Sequence, residues 1–486
     1  MISCGTKAAW PTALFLRSRR NKFLLGSRVH GKRVRRRPSR WLTTAAVWLV
    51  AACLGGTAGA KPVAPQATND PSVPFVWPSQ PPADCPFRPS SDFDRIVIQS
   101  RHRWVCGADT WYPSWAADGQ LYSGWTDGIV NGWANSSAEG AKAATIAAKI
   151  IGDDPMSLRV ENISRHVSSS LPYAGRYPCA YLVHNGVWYY GTYCLDNETR
   201  PDYPYKWGSN PQAPSLILKH PFRKGPDIQA LNYSYIGPFV GFRVSTDLGK
   251  TWTETPHTAG RPLFNDPLKA FGPTKIGSPH FVDFGRNMEH SPDGKAYLVA
   301  HGAVDDNPAP RPAAASWITG DAVYLLRVKP TPRTINDPSA YEFFAGYGRD
   351  GQPLWTGDFA RMKPLAQWNN NMGCATMAYN APLKRYFLTV TDGTDTIRAY
   401  NSYILESRQI TGPWKLVSYM RNFGEQAYFI NFPSKFHSSD GQTMWMLYSG
   451  NYANFFELDL KANLPGSRYG MIWQEIRLLR PGQPPP

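Results

Sequence analysis

The run Ser245-Thr246-Asp247-Leu248-Gly249-Lys250-Thr251-Trp252 dictates a tight turn followed by a strand. Asp247 can fold its carboxylate back onto the backbone N–H groups near it. Gly249 supplies the positive φ that such a turn demands. Thr251 and Trp252 then open a strand with a large apolar anchor. Weaker versions of the plan recur along the chain. They are Ala117-Asp118-Gly119 leading to Tyr122, His184-Asn185-Gly186 leading to Trp188-Tyr189-Tyr190, Ser291-Pro292-Asp293-Gly294 leading to Tyr297, and Ser439-Asp440-Gly441 leading to Trp445. Asn-Gly and Asp-Gly between alternating apolar residues are strong hairpin signals. The segment from Tyr379 and Asn380 to Tyr386 and Phe387 reads as a further hairpin with a longer loop. A second kind of element alternates with these: Phe242-Arg243-Val244-Ser245, and Tyr403 to Ser407 leading to Gly412-Pro413-Trp414.

Regular hairpins with few helical stretches indicate radial repetition. The expected fold is therefore all-β, a single β-propeller over residues 85–486. The 18 Trp, 25 Tyr, 41 Gly and 44 Pro suit such a chain, because strands take the aromatics and turns take the rest. At roughly 40–60 residues per blade, the length after the leader favours seven blades, with five or six also fitting. One stretch departs from the plan. Ser136 to Ile151 is Ala-rich, carries Lys142 and Lys149, and reads as a surface helix between blades.

Residues 1–60 read as a targeting segment. They hold twelve Lys or Arg and no acid, and end in an apolar run from Trp41 to Leu54. A basic region, a short apolar core and Ala58-Gly59-Ala60 together make a signal peptide cleaved near Ala60. The apolar run falls short of the about 18–20 residues of a membrane span. The expected location is therefore secreted, periplasmic or cell-surface. Val50-Ala51-Ala52-Cys53 also resembles a bacterial lipobox, which would make Cys53 a lipid anchor. Without these twelve cations the net charge of +16 falls to +4. The high pI is thus a property of the leader and is no evidence for nucleic-acid binding. Residues 61–84 are Pro-rich and polar and read as a linker. Five cysteines follow the leader; Cys179 with Cys194, and Cys85 with Cys106, are the candidate disulfides, leaving Cys374 over. No C-x-x-C pair or His-x-x-x-His spacing specifies zinc, and no cofactor is required. A Ca²⁺ at the propeller centre is compatible with the fold but has no diagnostic loop.

The richest segment for chemistry runs from Ser278 to Gly294. It holds His280, Asp283, Arg286, Asn287, Glu289, His290 and Asp293. Histidine is the natural acid or base near neutral pH. Arg176, entering a strand at Tyr177-Pro178-Cys179, suits a substrate carboxylate. Trp111 and Trp125, with Asp127, offer ring faces and hydroxyl acceptors for a sugar, or serve as core packing between blades. Trp368-Asn369-Asn370-Asn371 places three amides in a row before a strand, where burial without a ligand is costly. Lys435 suits an anion or a pairing with Glu425.

The opening run resembles an Asp-box, the S-x-D-x-G-x-T-W turn of sialidase-like β-propellers, which implies the fold and not the chemistry. The strings Tyr112-Pro-Ser-Trp-Ala-Ala-Asp-Gly, Gly-Arg176-Tyr-Pro-Cys and Asn287-Met-Glu-His-Ser-Pro-Asp-Gly add a second likeness. With them, the chain resembles the secreted propellers that attack rhamnose–glucuronate caps of plant polysaccharides: L-rhamnose-α-1,4-D-glucuronate lyases and related α-L-rhamnosidases. That resemblance implies β-elimination at a uronic acid of a polysaccharide or oligosaccharide. Arg176 and Arg243 would neutralise the carboxylate, and His280 or His290 would act as base and acid. Trp111, Trp125, Asp127, Asn287, Glu289, Trp368, Asn371 and Lys435 would bind substrate. The alternatives are a glycoside hydrolase (rhamnosidase, sialidase-like or arabinanase-like) and a propeller that only binds glycans. A hydrolase needs separated carboxylates, for which Asp109, Asp127, Asp283 and Glu289 are the candidates. True sialidases fit less well: there is no F-R-I-P-like strand opening, arginine triad or Tyr–Glu pair.

Overall fold

A computed structural model describes residues 73–135, 144–167, 177–193, 239–257, 261–264, 274–308, 320–392, 400–423, 427–450 and 469–485. All of them belong to the unit Pro65–Pro486. The leader expected at 1–60 and Arg176, Cys194 and Glu425 lie outside the described residues.

The described chain is all-β, in antiparallel sheets joined by turns and short 3-10 segments. The strands fall into consecutive groups. The first group is Ser114–Trp115, Leu121–Val130, Ala144–Ile151 and Arg159–Val167. The second is Tyr177–His184, Val187–Tyr193 and Phe239–Ser245, extended by a Val244–Thr253 bridge. The third runs from His280–Phe281 through Ala296–Gly302 and Ala322–Val328 to Glu342–Tyr347. The fourth is Ala375–Asn380, Arg385–Asp392, Tyr400–Ser407 and Lys415–Phe423. The last group is Tyr428–Asn431, Thr443–Gly450 and Gly470–Leu479, and it is completed from the other end of the chain by Arg95–Asp109. That long strand then pairs with Leu121–Val130, so the last and first groups join. A ring of sheets closed by its first and last strands leaves no open end to fray.

The turns form where the sequence places them. In the opening run, Lys250 and Thr251 N–H donate to Asp247 Oδ1 at 3.1 and 2.9 Å, and Gly249 N–H donates to Ser245 Oγ at 2.8 Å. Gly249 has φ 93°, and Trp252 packs edge-on against Trp188 and Tyr190. Asn185 and Gly186, at φ 51° and 78°, make the tight turn between Tyr177–His184 and Val187–Tyr193.

Three expectations need correction. The stretch read as a surface helix contains the strand Ala144–Ile151, with Ile146, Ala147, Ala148 and Ile150 fully buried. Small alanines let two sheet faces approach, and that packing overrides their helix propensity. Within the stretch read as a linker, Phe75–Val76 pair with Val97 and Ile98, Trp77 is buried, and Gln80 N–H donates to Tyr419 O at 3.1 Å. The aromatic side chains there give the segment apolar area to bury. Cys85 and Cys106 are free thiols; Cys85 packs against the core around Trp368 and Tyr403, whereas Cys106 is buried with Trp125 and Trp473.

Candidate functional site

The opening strands of the successive groups contact their neighbours and enclose a narrow cavity of about 40 Å³. Ser114, Tyr181, His280, Met377 and Asn431 each reach it from a different group. The strands that open each sheet are therefore the ones that deliver side chains to the centre.

At one end of this channel, polar groups gather inside an aromatic shell. The Tyr112 and His280 rings lie 3.9 Å apart at 35°, and Phe429 meets the Tyr112 ring at 4.9 Å. Ser278 Oγ lies 3.2 Å from His280 Nε2. Among the described residues, His280 Nδ1 and the Tyr112 hydroxyl are buried without a hydrogen-bond partner. Burial, with His301 nearby, holds the His280 imidazole neutral well below its ordinary pKa.

Asp109, three residues before Tyr112, is buried near the Tyr112 side chain but is not among the residues that line the cavity. Its Oδ2 accepts a hydrogen bond from the Tyr428 hydroxyl at 2.8 Å, and its Oδ1 is buried without a partner among the described residues. Burial first, and then the Asp127 carboxylate, push the Asp109 carboxyl well above the usual carboxylate range. The backbone beside it is strained. Thr110 has φ 68°, costly for a β-branched residue, and is held there by its N–H donating to Ser449 Oγ at 3.1 Å. Phe429, next to Tyr428, has φ 61°. Both residues that make the Asp109–Tyr428 contact thus adjoin left-handed backbone.

The structure distributes the other sequence candidates widely. His290 is half-exposed beside Glu289, at 3.8 Å, and the Tyr379 ring; the imidazole nearest His280 in charge is His301 instead. Arg243 is buried, and its Nε donates to Glu254 Oε2 at 2.7 Å. Trp111 and Trp125 are core residues stacked at 6.2 Å, with their indole N–H groups on Ala108 O and Asn162 Oδ1. Asp127 has φ 48° and accepts at its backbone oxygen from the Tyr469 hydroxyl. Asn287 pairs its amide with Asn185 at 2.9 Å, and Glu289 accepts from Arg286 N–H at 3.1 Å, both tying turns together. Trp368 is buried against Phe87 and Tyr403, and Asn371 O accepts from the Tyr403 hydroxyl at 2.7 Å. Lys435 donates to Gly119 O and Gly152 O at 2.7 Å each and pairs with Asp153 at 2.8 Å, so it closes two turns. Of the sequence candidates, His280 and Asp283 line the channel, the Asp283 carboxylate accepting from Ser434 N–H and Oγ at 2.7 Å each and from Gly285 N–H at 2.9 Å, and Asp127 lies beside Asp109. Tyr428 and the special standing of Asp109 were missed, because nothing local in the sequence marks them. The strained Asp109-Thr110 step is a backbone property that residue types do not reveal.

Among the described residues, no group of three or more His, Cys, Asp or Glu side chains is placed to hold a metal ion. No helix among them is long and apolar enough to cross a membrane.

No family model and no curated protein matches this sequence. Solved structures are similar to it. A GH43_1 enzyme from Xanthomonas citri is 15% identical, covers 77% of this chain and 87% of its own, and superposes with a TM-score of 0.38. The RS223-β-xylosidase is 10% identical over 78% of this chain and 95% of its own, with a TM-score of 0.41. The catalytic domain of the Coprinopsis cinerea GH62 α-L-arabinofuranosidase is 12% identical over 83% and 97%, with a TM-score of 0.36. These neighbours are glycoside hydrolases.

Proposed function

We propose that the chain is a five-bladed β-propeller that hydrolyses a glycosidic bond at its axial cavity, with Asp109, behind Tyr112, as the acid. The blade count is supported by the succession of strand groups and by the pairing of Arg95–Asp109 with Gly470–Leu479, which closes the ring. It replaces the seven blades that length alone favours.

One observation carries the chemistry: a buried carboxyl, Asp109, with its Oδ2 held by the Tyr428 hydroxyl at 2.8 Å and its pKa pushed well above the usual carboxylate range by burial and by the nearby Asp127 carboxylate. Hydrolysis asks for that division of labour. Asp109 gives its proton to the glycosidic oxygen as the bond to the anomeric carbon breaks. Asp127 takes a proton from the water that adds to that carbon. The products are a free hemiacetal and an alcohol. Tyr112 supplies a ring face for the sugar, and neutral His280 supplies a hydrogen-bonding nitrogen for a hydroxyl.

The competing reading is β-elimination at a rhamnose–glucuronate linkage. It keeps His280 as a neutral base, but Arg243 is held by Glu254 and His290 is half-exposed beside Glu289. Product analysis separates the two. The purified chain is incubated with gum arabic, arabinan and xylan, following reducing ends and ultraviolet absorbance together. New reducing ends without absorbance support hydrolysis. Rising absorbance from an unsaturated uronate establishes elimination and removes Asp109 from the acid role. A secreted polysaccharide-degrading enzyme accords with the leader read at 1–60, and sugar release by cells producing the chain tests that location.

A further inference from the structure

One contact of Asp109 has a role beyond its assignment as acid, and the inference rests on that assignment. We propose that Tyr428 is the positioning residue of this acid: its hydroxyl occupies Oδ2 and leaves Oδ1 as the oxygen that delivers the proton. The Tyr428 hydroxyl lies 2.8 Å from Oδ2, and Oδ1 is buried with no partner among the described residues. A carboxyl with one oxygen held and the other open presents its proton in one direction.

The surroundings are built to keep that geometry. Phe429 sits in left-handed backbone at φ 61°, immediately after Tyr428, and its ring packs on both Tyr428 and Tyr112. Tyr400 meets the Tyr428 ring at 6.3 Å. On the other side, the Ser449 hydroxyl fixes Thr110 at φ 68°. The two partners are 319 residues apart, on strands that meet through the closure of the last sheet. Closing the ring and aiming the acid are therefore linked. The groups facing Asp109 are Asp127 from Leu121–Val130, Tyr428, Tyr469, Tyr112 and Tyr193. Asp127 favours the protonated acid, whereas the Tyr428 hydrogen bond and the nearby Tyr469 hydroxyl favour its ionised form.

The test compares wild type, Tyr428→Phe and Asp109→Asn as full chains on one cleaved glycoside, with near-ultraviolet circular dichroism as the folding control. Phenylalanine keeps the ring and removes the hydroxyl. The expected result is a fall in kcat of about tenfold with KM nearly unchanged. The alkaline limb of the kcat/KM profile should move to higher pH, because Asp109 loses a bond that favours its ionised form. A ring-fluorinated tyrosine at position 428 donates more strongly and should move the limb the other way. An unmoved limb in both variants overturns the inference, as does a change confined to KM. If Asp109→Asn keeps the wild-type rate on this glycoside, the acid assignment itself fails. If Asp109→Asn is inactive while Tyr428→Phe behaves as wild type, only the positioning role fails.

Discussion

The Tyr112 ring lies against the His280 imidazole with centroids 3.9 Å apart, and neither polar tip, Tyr112 OH nor His280 Nδ1, has a partner among the described residues. Buried polar atoms are nearly always satisfied, and these two belong to residues that line the central cavity, where a bound sugar would supply the missing hydrogen bonds. His280→Ala should lower kcat/KM by about a hundredfold, whereas His290→Ala should stay within about threefold of wild type. Steady-state kinetics on a cleaved glycoside check this, and equal losses would show that the imidazole at the channel has no special standing.

The opening turn should matter for stability and not for catalysis. A Cβ at Gly249 would meet the Trp188 ring at 2.9 Å, in backbone at φ 93°. Gly249→Ala should therefore destabilise by about 1–3 kcal/mol. Denaturant unfolding reads the loss, and the rate per folded molecule should be unchanged.

Closure of the ring should dominate global stability. Trp473 is fully buried in the strand that pairs with Arg95–Asp109, and meets Phe436 edge-on at 5.3 Å. Trp473→Ala should cost about 3–5 kcal/mol. A variant that unfolds at the wild-type midpoint would show that the last sheet is not a keystone.

Acid should weaken the fold through buried histidines. Burial lowers His102 and His437 from the ordinary 6.5 to about 4. As pH falls below 6.5 the unfolded chain takes up these protons first, so stability is complete above that pH and declines towards pH 4. Unfolding midpoints measured across this range should drop, and His437→Gln should flatten the slope. A slope unchanged by that substitution would place the acid sensitivity elsewhere.

What was legible in the sequence was local. The Asp247 turn could be read because its carboxylate bonds to N–H groups three and four residues ahead. The strand Ala144–Ile151 was misread because alanine favours a helix until a sheet buries it. Lys435 was read as suiting an anion or a pairing with Glu425 because its carbonyl partners, on Gly119 and Gly152, are 316 and 283 residues away. Asp109 stayed one carboxylate among several for the same reason: its burial and its Tyr428 contact exist only after the last sheet takes in an early strand.

The central claim is that Asp109 donates the proton to the departing oxygen. The most direct measurement compares Asp109→Asn with wild type on two substrates of the same sugar, one with an alkyl leaving group and one with dinitrophenolate. A leaving group as acidic as dinitrophenol departs without a proton, so only the alkyl glycoside needs the acid. The account predicts a loss of about a hundredfold or more on the alkyl glycoside and a rate within about tenfold of wild type on the dinitrophenyl glycoside. Equal losses on both substrates, or none on either, would contradict it.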